Sequence, residues 1–212
     1  MYHGDWTAQL AELFPDREAF FDLRTNTRVS YPELNRRVDD TARALSRLGI
    51  KAGDRVCVLA KNRLEHIDLL FACARLGALF VPFNWRLAEP ELAFLLDDIE
   101  AKVLFFDAEF AYVAGQLCAT RSTKAVGLDA HAADDESVPA FLPWTDALSS
   151  SKDDRIPAQH PVELDDPWIV LYTSGTTGNP KGALVPYRQV AFNALNTIVA
   201  LDLTSNDRTL TY

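Results

Sequence analysis

Between Arg55 and Phe106 short apolar runs alternate with stretches of helical periodicity, and this alternation confines the chain to a small set of folds. Arg55-Val-Cys-Val-Leu-Ala60 reads as a strand, Leu64 to Leu76 as a helix apolar almost all round, and Leu79-Phe-Val-Pro-Phe83 as a second strand. Pro90 then stands in a first helical turn, with Leu92, Leu95, Leu96 and Ile99 on one face. Val103-Leu-Phe-Phe106 follows as a third strand and Lys124 to Leu128 as a weaker fourth. Strands separated by helices predict an α/β fold with a mostly parallel sheet flanked by helices.

The flanking regions add to this. Trp6 to Leu13 predicts a short opening helix, and Ala19 to Phe21 with Arg28 to Ser30 predicts a hairpin around Arg24 to Thr27. Ser30-Tyr-Pro-Glu33 is a capping-box signature, after which Tyr31, Leu34, Val38, Ala42, Leu45 and Leu48 recur at helical spacing up to Gly49. Arg36, Arg37, Arg43 and Arg47 read as a solvated face salted by nearby aspartates, not as a binding patch. Residues 129–167 are rich in Ala, Asp, Ser and Pro and read as mostly connector, with a short helix near Trp144 to Leu148. Val190 to Leu201 predicts a helix, Asn206-Asp207 a turn, and the end at Tyr212 lies in what looks like a new strand.

Composition bounds the partners. The chain has 212 residues, 48% hydrophobic and 24% charged, as in ordinary globular proteins, with a net charge of -9. That charge argues against nucleic-acid binding and against a basic membrane-surface patch. No run is long enough for a membrane span, and Met1-Tyr-His-Gly-Asp5 has no signal-peptide character. Cys57, Cys73 and Cys118 form no CxxC, so they read as small buried hydrophobes of a cytoplasmic protein. His66, His131 and His160 read as structural or surface residues.

The chemistry concentrates in Tyr172-Thr-Ser-Gly-Thr-Thr-Gly-Asn-Pro-Lys181-Gly182, which follows the apolar run Trp168 to Tyr172. Gly175, Gly178 and Gly182 can take φ > 0 and let backbone N–H groups approach a ligand. Thr173, Ser174, Thr176 and Thr177 offer hydroxyls, and Lys181 a full positive charge. Such a loop suits phosphates. Hydrogen bonds with one charged partner are worth roughly 1.5–3 kcal/mol each. It is not a Walker P-loop: counted from Gly175, Pro180 stands where that motif needs Gly, and Gly182 where it needs Ser or Thr. A ligand-free Gly/Ser/Thr surface loop is the reading that composition alone leaves open.

The stretch resembles the phosphate-binding loop of the adenylate-forming enzymes: acyl-CoA synthetases, luciferases and peptide-synthetase adenylation domains. The match is unbroken from Tyr172 to Gly182, with Asp165-Asp166-Pro167 similar to the family's lead-in. Val29 to Leu34 resembles its early helix-start motif and Ala74 to Asn84 its second core motif. Asn84-Trp-Arg-Leu87 with Glu91-Leu92 is similar to acyl-CoA synthetases of fatty and aryl acids. The family commonly has His five positions after Gly182, where this chain has Tyr187, and no role is carried onto it.

The resemblance implies that residues 1–212 are an incomplete N-terminal, AMP-binding domain, the small C-terminal domain and the acid pocket lying downstream. It implies ATP and CoA as substrates with Mg²⁺, and two steps. A carboxylic acid, expected to be a fatty acid, attacks the α-phosphate of ATP to give acyl-AMP and pyrophosphate; a thiol then displaces AMP. Thr173, Ser174, Gly175, Thr176, Thr177 and Gly178 would wrap the β- and γ-phosphates, Lys181 would neutralise charge as the catalytic residue, and Thr176 is the position the family turns towards Mg²⁺. The fragment alone is expected to be inactive, and its exposed core would favour a homodimer. Three other readings stay open: a non-catalytic nucleotide-binding fragment, an adenylation domain serving a non-CoA acceptor, and an unrelated phosphate-binding α/β protein. A structure without a strand–loop–strand setting would favour the last.

Overall fold

A computed structural model describes residues 6–129, 139–173 and 180–210. Helix α1 (Trp6–Leu13) and the antiparallel hairpin of β1 (Glu18–Asp22) and β2 (Thr27–Ser30) lead into α2 (Tyr31–Arg47). Ser30 caps α2 by accepting from the Glu33 amide, as its capping-box sequence predicts. Then come β3 (Arg55–Leu59), α3 (Leu64–Leu76), β4 (Leu79–Pro82), α4 (Glu89–Ile99), β5 (Val103–Phe106), α5 (Ala111–Ala119) and β6 (Lys124–Gly127). The chain continues through β7 (Leu142–Pro143), α6 (Trp144–Ser151), β8 (Pro167–Thr173), β9 (Lys181–Pro186) and α7 (Tyr187–Leu201).

Seven strands form one sheet in the order β7-β6-β5-β3-β4-β8-β9. All neighbours are parallel except β8 and β9. The apolar runs have no polar alternation because both faces are covered. Val56, Val58, Val103 and Phe105 face α2, α3 and α6, while Cys57, Leu59, Leu104 and Phe106 face α4 and α5. All three cysteines are buried and unbridged, and burial pushes the Cys118 thiol up to about 11. Gly77 ends α3 in the left-handed region, φ 69°, and a Cβ there would lie 2.4 Å from the His160 ring, so the exposed His160 is packing against a turn.

Three elements differ from the sequence reading. Helix α5 was not expected, since Gly115 interrupts it and no side chain caps it. Packing decides there: a Cβ on residue 115 would lie 2.8 Å from Pro139. The connector-like stretch also contributes to the sheet and core. Strand β7 extends the sheet edge, and Trp144 of α6 sits edge-on to Phe105 at 5.2 Å. The strand expected at the chain's end is not found through Leu210; residues 211 and 212, like His131, lie outside the described residues.

Of the α2 arginines, Arg36 and Arg47 pair with Asp40 and Asp154 on the surface, and the half-buried Arg43 also pairs with Asp40. Arg37 instead crosses to α3 and grips both oxygens of Asp68, which is buried. Burial pushes Asp68 up to about 6, against the pull of Arg37. Deeper between the same helices, Arg75 bonds Asp39, Asn35 and Thr7, tying α1, α2 and α3 together. His66, on the first turn of α3, packs edge-on to Phe80 at 6.3 Å, and its buried Nδ1 has no hydrogen-bond partner among the described residues. Burial lowers its pKa.

Two predictions follow from these contacts. Replacing Arg37 by Ala leaves Asp68 buried and unpaired and should cost about 3 kcal/mol in a denaturant titration, whereas Arg36→Ala should be nearly neutral. Burial in the folded state disfavours the charged imidazole of His66, while the unfolded chain takes up a proton below about pH 6.5, so this histidine costs stability as pH falls. His66→Phe should therefore gain stability over wild type between pH 7.5 and pH 5.5; a pH-independent difference would contradict this.

Candidate functional site

The site is built on β8 and β9. Their ladder pairs Val170 with Leu184, Leu171 with Ala183, Tyr172 with Gly182 and Thr173 with Lys181. The last pair brackets residues 174–180 at the carboxyl end of β8. Ligands of open α/β sheets bind at that edge. Two paired strands thus flank the glycine- and hydroxyl-rich stretch. Thr173 and Lys181 are both exposed and directly opposite each other. Ser174, Gly175, Thr176, Thr177 and Gly178 lie outside the described residues.

The strands are held at their roots by aromatic side chains. Trp168 and Tyr187 stack with ring centres 4.9 Å apart and planes 8° apart. Trp6 and Phe71 pack around Trp168 at 5.4 and 5.8 Å. Trp168 Nε1 donates to the Leu70 carbonyl at 3.0 Å, and the Tyr187 hydroxyl donates to the Ala74 carbonyl at 3.3 Å. Burial raises the Tyr187 phenol, so it stays a donor. A bulge between Pro167 and Ile169 shifts the strand's phase. Trp168 and Ile169 then both meet the α3 side, while Val170 and Tyr172 reach the α4 side.

Gly182 corrects one expectation. Its φ lies outside the left-handed region, so it is not there to permit an unusual backbone. It lets the strand close over its partner: a Cβ would lie 3.1 Å from Val170 Cγ1 and 3.4 Å from Tyr172 Cζ.

A second cluster on the same edge was not singled out in the sequence, because its members come from four different strand ends. Lys61 follows β3 and lies 5.1 Å from the Trp85 ring, which Arg86 covers from 4.1 Å. Lys61 also pairs with Glu109 at 2.8 Å. Below it, Arg63 bonds Asp107, Asp129 and Glu65, and Asp107 accepts from the Lys61 amide at 2.8 Å. Only the Asn84-Trp-Arg-Leu87 motif hinted at this group.

On the α3 side of β8 and β9, a groove of about 850 Å³ is lined by Ile169, Leu171, Val185, Val190, Phe192 and Asn193. Helix α7 leaves Phe192, Leu195, Ile198 and Val199 exposed, the last at 81%. Among the described residues, no helix is long and apolar enough to cross a membrane.

Comparison with known proteins agrees with this geometry. The chain is 39% identical over 210 residues to the indoleacetate–CoA ligase of Aromatoleum aromaticum, covering 98% of this chain and 39% of that protein. It is 36% identical over 207 residues to the feruloyl-CoA synthase of an Amycolatopsis species, covering 98% and 38%. A crystal structure from Rhodopseudomonas palustris CGA009, provisionally named a long-chain-fatty-acid CoA ligase, superposes with a TM-score of 0.84 at 28% identity, over 98% of this chain and 50% of that one. The chain thus spans about two fifths of the length of these curated relatives. Residues 7–212 match the family described as AMP-binding enzyme, and the chain belongs to that family.

Proposed function

We propose that this chain is the front part of an ATP-dependent acid–thiol ligase and carries its triphosphate-holding loop. The observation that carries the reading is the β8–β9 ladder, which sets Thr173 opposite Lys181 at the carboxyl edge of the sheet. In the reaction, a carboxylate oxygen bonds to the α-phosphorus of ATP as the bond to the β-phosphate oxygen breaks, giving acyl-AMP and pyrophosphate. A thiol, which we take to be CoA, then attacks the acyl carbon and AMP departs. The demanding feature of the first step is negative charge on the departing pyrophosphate, which fixed donors and cations stabilise without reorganising. Thr173 to Gly178 are assigned to the β- and γ-phosphates and Lys181 to that charge. Lys61 and Arg86 beside Trp85 suit a second, phosphate-bearing substrate on the same edge, as CoA is.

Thr176 is assigned to face Mg²⁺. Among the described residues, no group of three or more His, Cys, Asp or Glu side chains gathers into a metal site; the ion, when bound, would offset charge on the triphosphate oxygens. For the acid, the fatty-acid reading has the superposed structure in its favour, and an aryl acid has the indoleacetate and feruloyl ligases. The buried thiols fit a reducing, cytoplasmic setting, and the exposed side chains of α7 support self-association as a homodimer.

In the full-length parent, Lys181→Ala should slow ATP–pyrophosphate exchange about ten- to a hundredfold, the equivalent of roughly 1.5–3 kcal/mol. An unchanged exchange rate would remove Lys181 from the assignment. The 212-residue chain by itself should form no acyl-AMP from ATP with either palmitate or indoleacetate. Acyl-AMP detected with one of them would show that the acid pocket is already present and would name its class.

A further inference from the structure

The outer half of β8 has little to hold it. Its pairing with β4 consists of Phe80 with Ile169, so beyond Ile169 its ladder partner is β9 alone, and β9 is the sheet's outermost strand. A two-stranded ribbon is marginal in water unless its side chains anchor it. Here the anchor at the open end is Tyr172. Its ring lies between Gly182 and Phe83, edge-on to Phe83 at 6.3 Å. Its hydroxyl donates to Asp98 Oδ2 at 2.6 Å. Burial, and then that bond, raises the phenol above its ordinary range, so the proton stays in place.

Asp98 occupies an unfavourable position for an acid. It lies in the last turn of α4, next to Asp97, with no basic residue in that turn, where the helix end already carries partial negative charge. Asp97 is answered by Arg121 at 2.7 and 2.8 Å. Asp98 is answered by the Tyr172 hydroxyl. Helix α4 is itself fixed through the buried Leu92, Leu95 and Leu96. The chain of support therefore runs from the core through Asp98 to Tyr172, one residue before Thr173.

The geometry points to Tyr172 and Asp98 as positioning residues whose hydroxyl–carboxylate bond holds the open end of the β8–β9 ribbon, and with it the facing pair Thr173 and Lys181, in place for a polyphosphate. The inference rests on the phosphate-holding role proposed for that loop. The bond lies at the surface and leaves Trp168 and Val170 in the core, so cutting it loosens the ribbon end without unfolding the chain.

The test uses this chain, with Tyr172→Phe, Asp98→Ala, the double variant and Asp98→Asn. Amide hydrogen exchange is followed at residues 171–173 and 181–183, and inorganic triphosphate binding is measured by calorimetry. Each disruptive single change should speed exchange there and weaken triphosphate binding roughly three- to tenfold, the size of one net hydrogen bond. The double variant should be no worse than either single one, the denaturation midpoint should hold, and Asp98→Asn, whose amide oxygen still accepts, should behave as wild type. Unchanged exchange in both single variants overturns the tether whatever triphosphate does. Binding that is equal in wild type and variants overturns the positioning role and leaves the phosphate reading standing. A wild-type chain that binds no triphosphate overturns the phosphate reading and the positioning role with it.

Discussion

The stacked rings of Trp168 and Tyr187 are the contact on which the candidate site depends. One ring opens the strand that leads into the loop, and the other follows the strand that leaves it. Their polar atoms reach carbonyls of α3 four residues apart, at Leu70 and Ala74. Both strands therefore hang from one helix, and that helix is bound to α1 and α2 through Arg75 and Arg37. Buried donors that find acceptors hold a unique arrangement, while the same donors unpaired would cost about 1–3 kcal/mol each. The distance from Thr173 to Lys181 is thus fixed by a pairing register, and the register by packing some five residues away.

This division explains what the sequence could tell. Strands β3, β4 and β5 and helices α3 and α4 were legible because burial on both sheet faces writes continuous apolar runs, and helical stripes keep their period. The start of α2 was legible because Ser30 and Glu33 form a local signal that needs no tertiary partner. Helix α5 was not, since Gly115 argues against it locally and the compensating contact comes from Pro139, far along the chain. Strand β7 was missed for a similar reason: two residues pairing with β6 have no period to read.

The candidate site divides the same way. Its hydroxyls, glycines and lysine are contiguous, so the donor set stands together in the sequence. The residues that would place them are not contiguous with them. Asp98 comes from α4, Phe83 from beyond β4, and Leu70 and Ala74 from α3, and no spacing rule connects these to Tyr172 or Trp168. Gly182 shows the difference most directly. A glycine in a loop motif suggests unusual backbone, yet this one is extended and small for the sake of the Tyr172 ring across the ladder. Arg37 shows it again, since one arginine of an exposed row reaches a buried partner on another helix.

Charge sets the last constraint on how such a loop could work. The chain's net charge is -9, so the protein's overall field repels a triphosphate. At physiological salt that field is screened beyond about 8 Å, whereas a hydrogen bond to a phosphate oxygen acts at about 3 Å. Binding must then come from short-range donors: backbone amides, the hydroxyls and one ammonium. Donors of this kind act only when their positions are fixed beforehand, because each freely moving side chain gives back entropy on ordering. An acidic protein that holds a polyphosphate therefore needs rigidity on either side of the binding stretch, and in the proposed role the aromatic stack at one end of the β8–β9 ribbon and the Tyr172–Asp98 bond at the other would supply it.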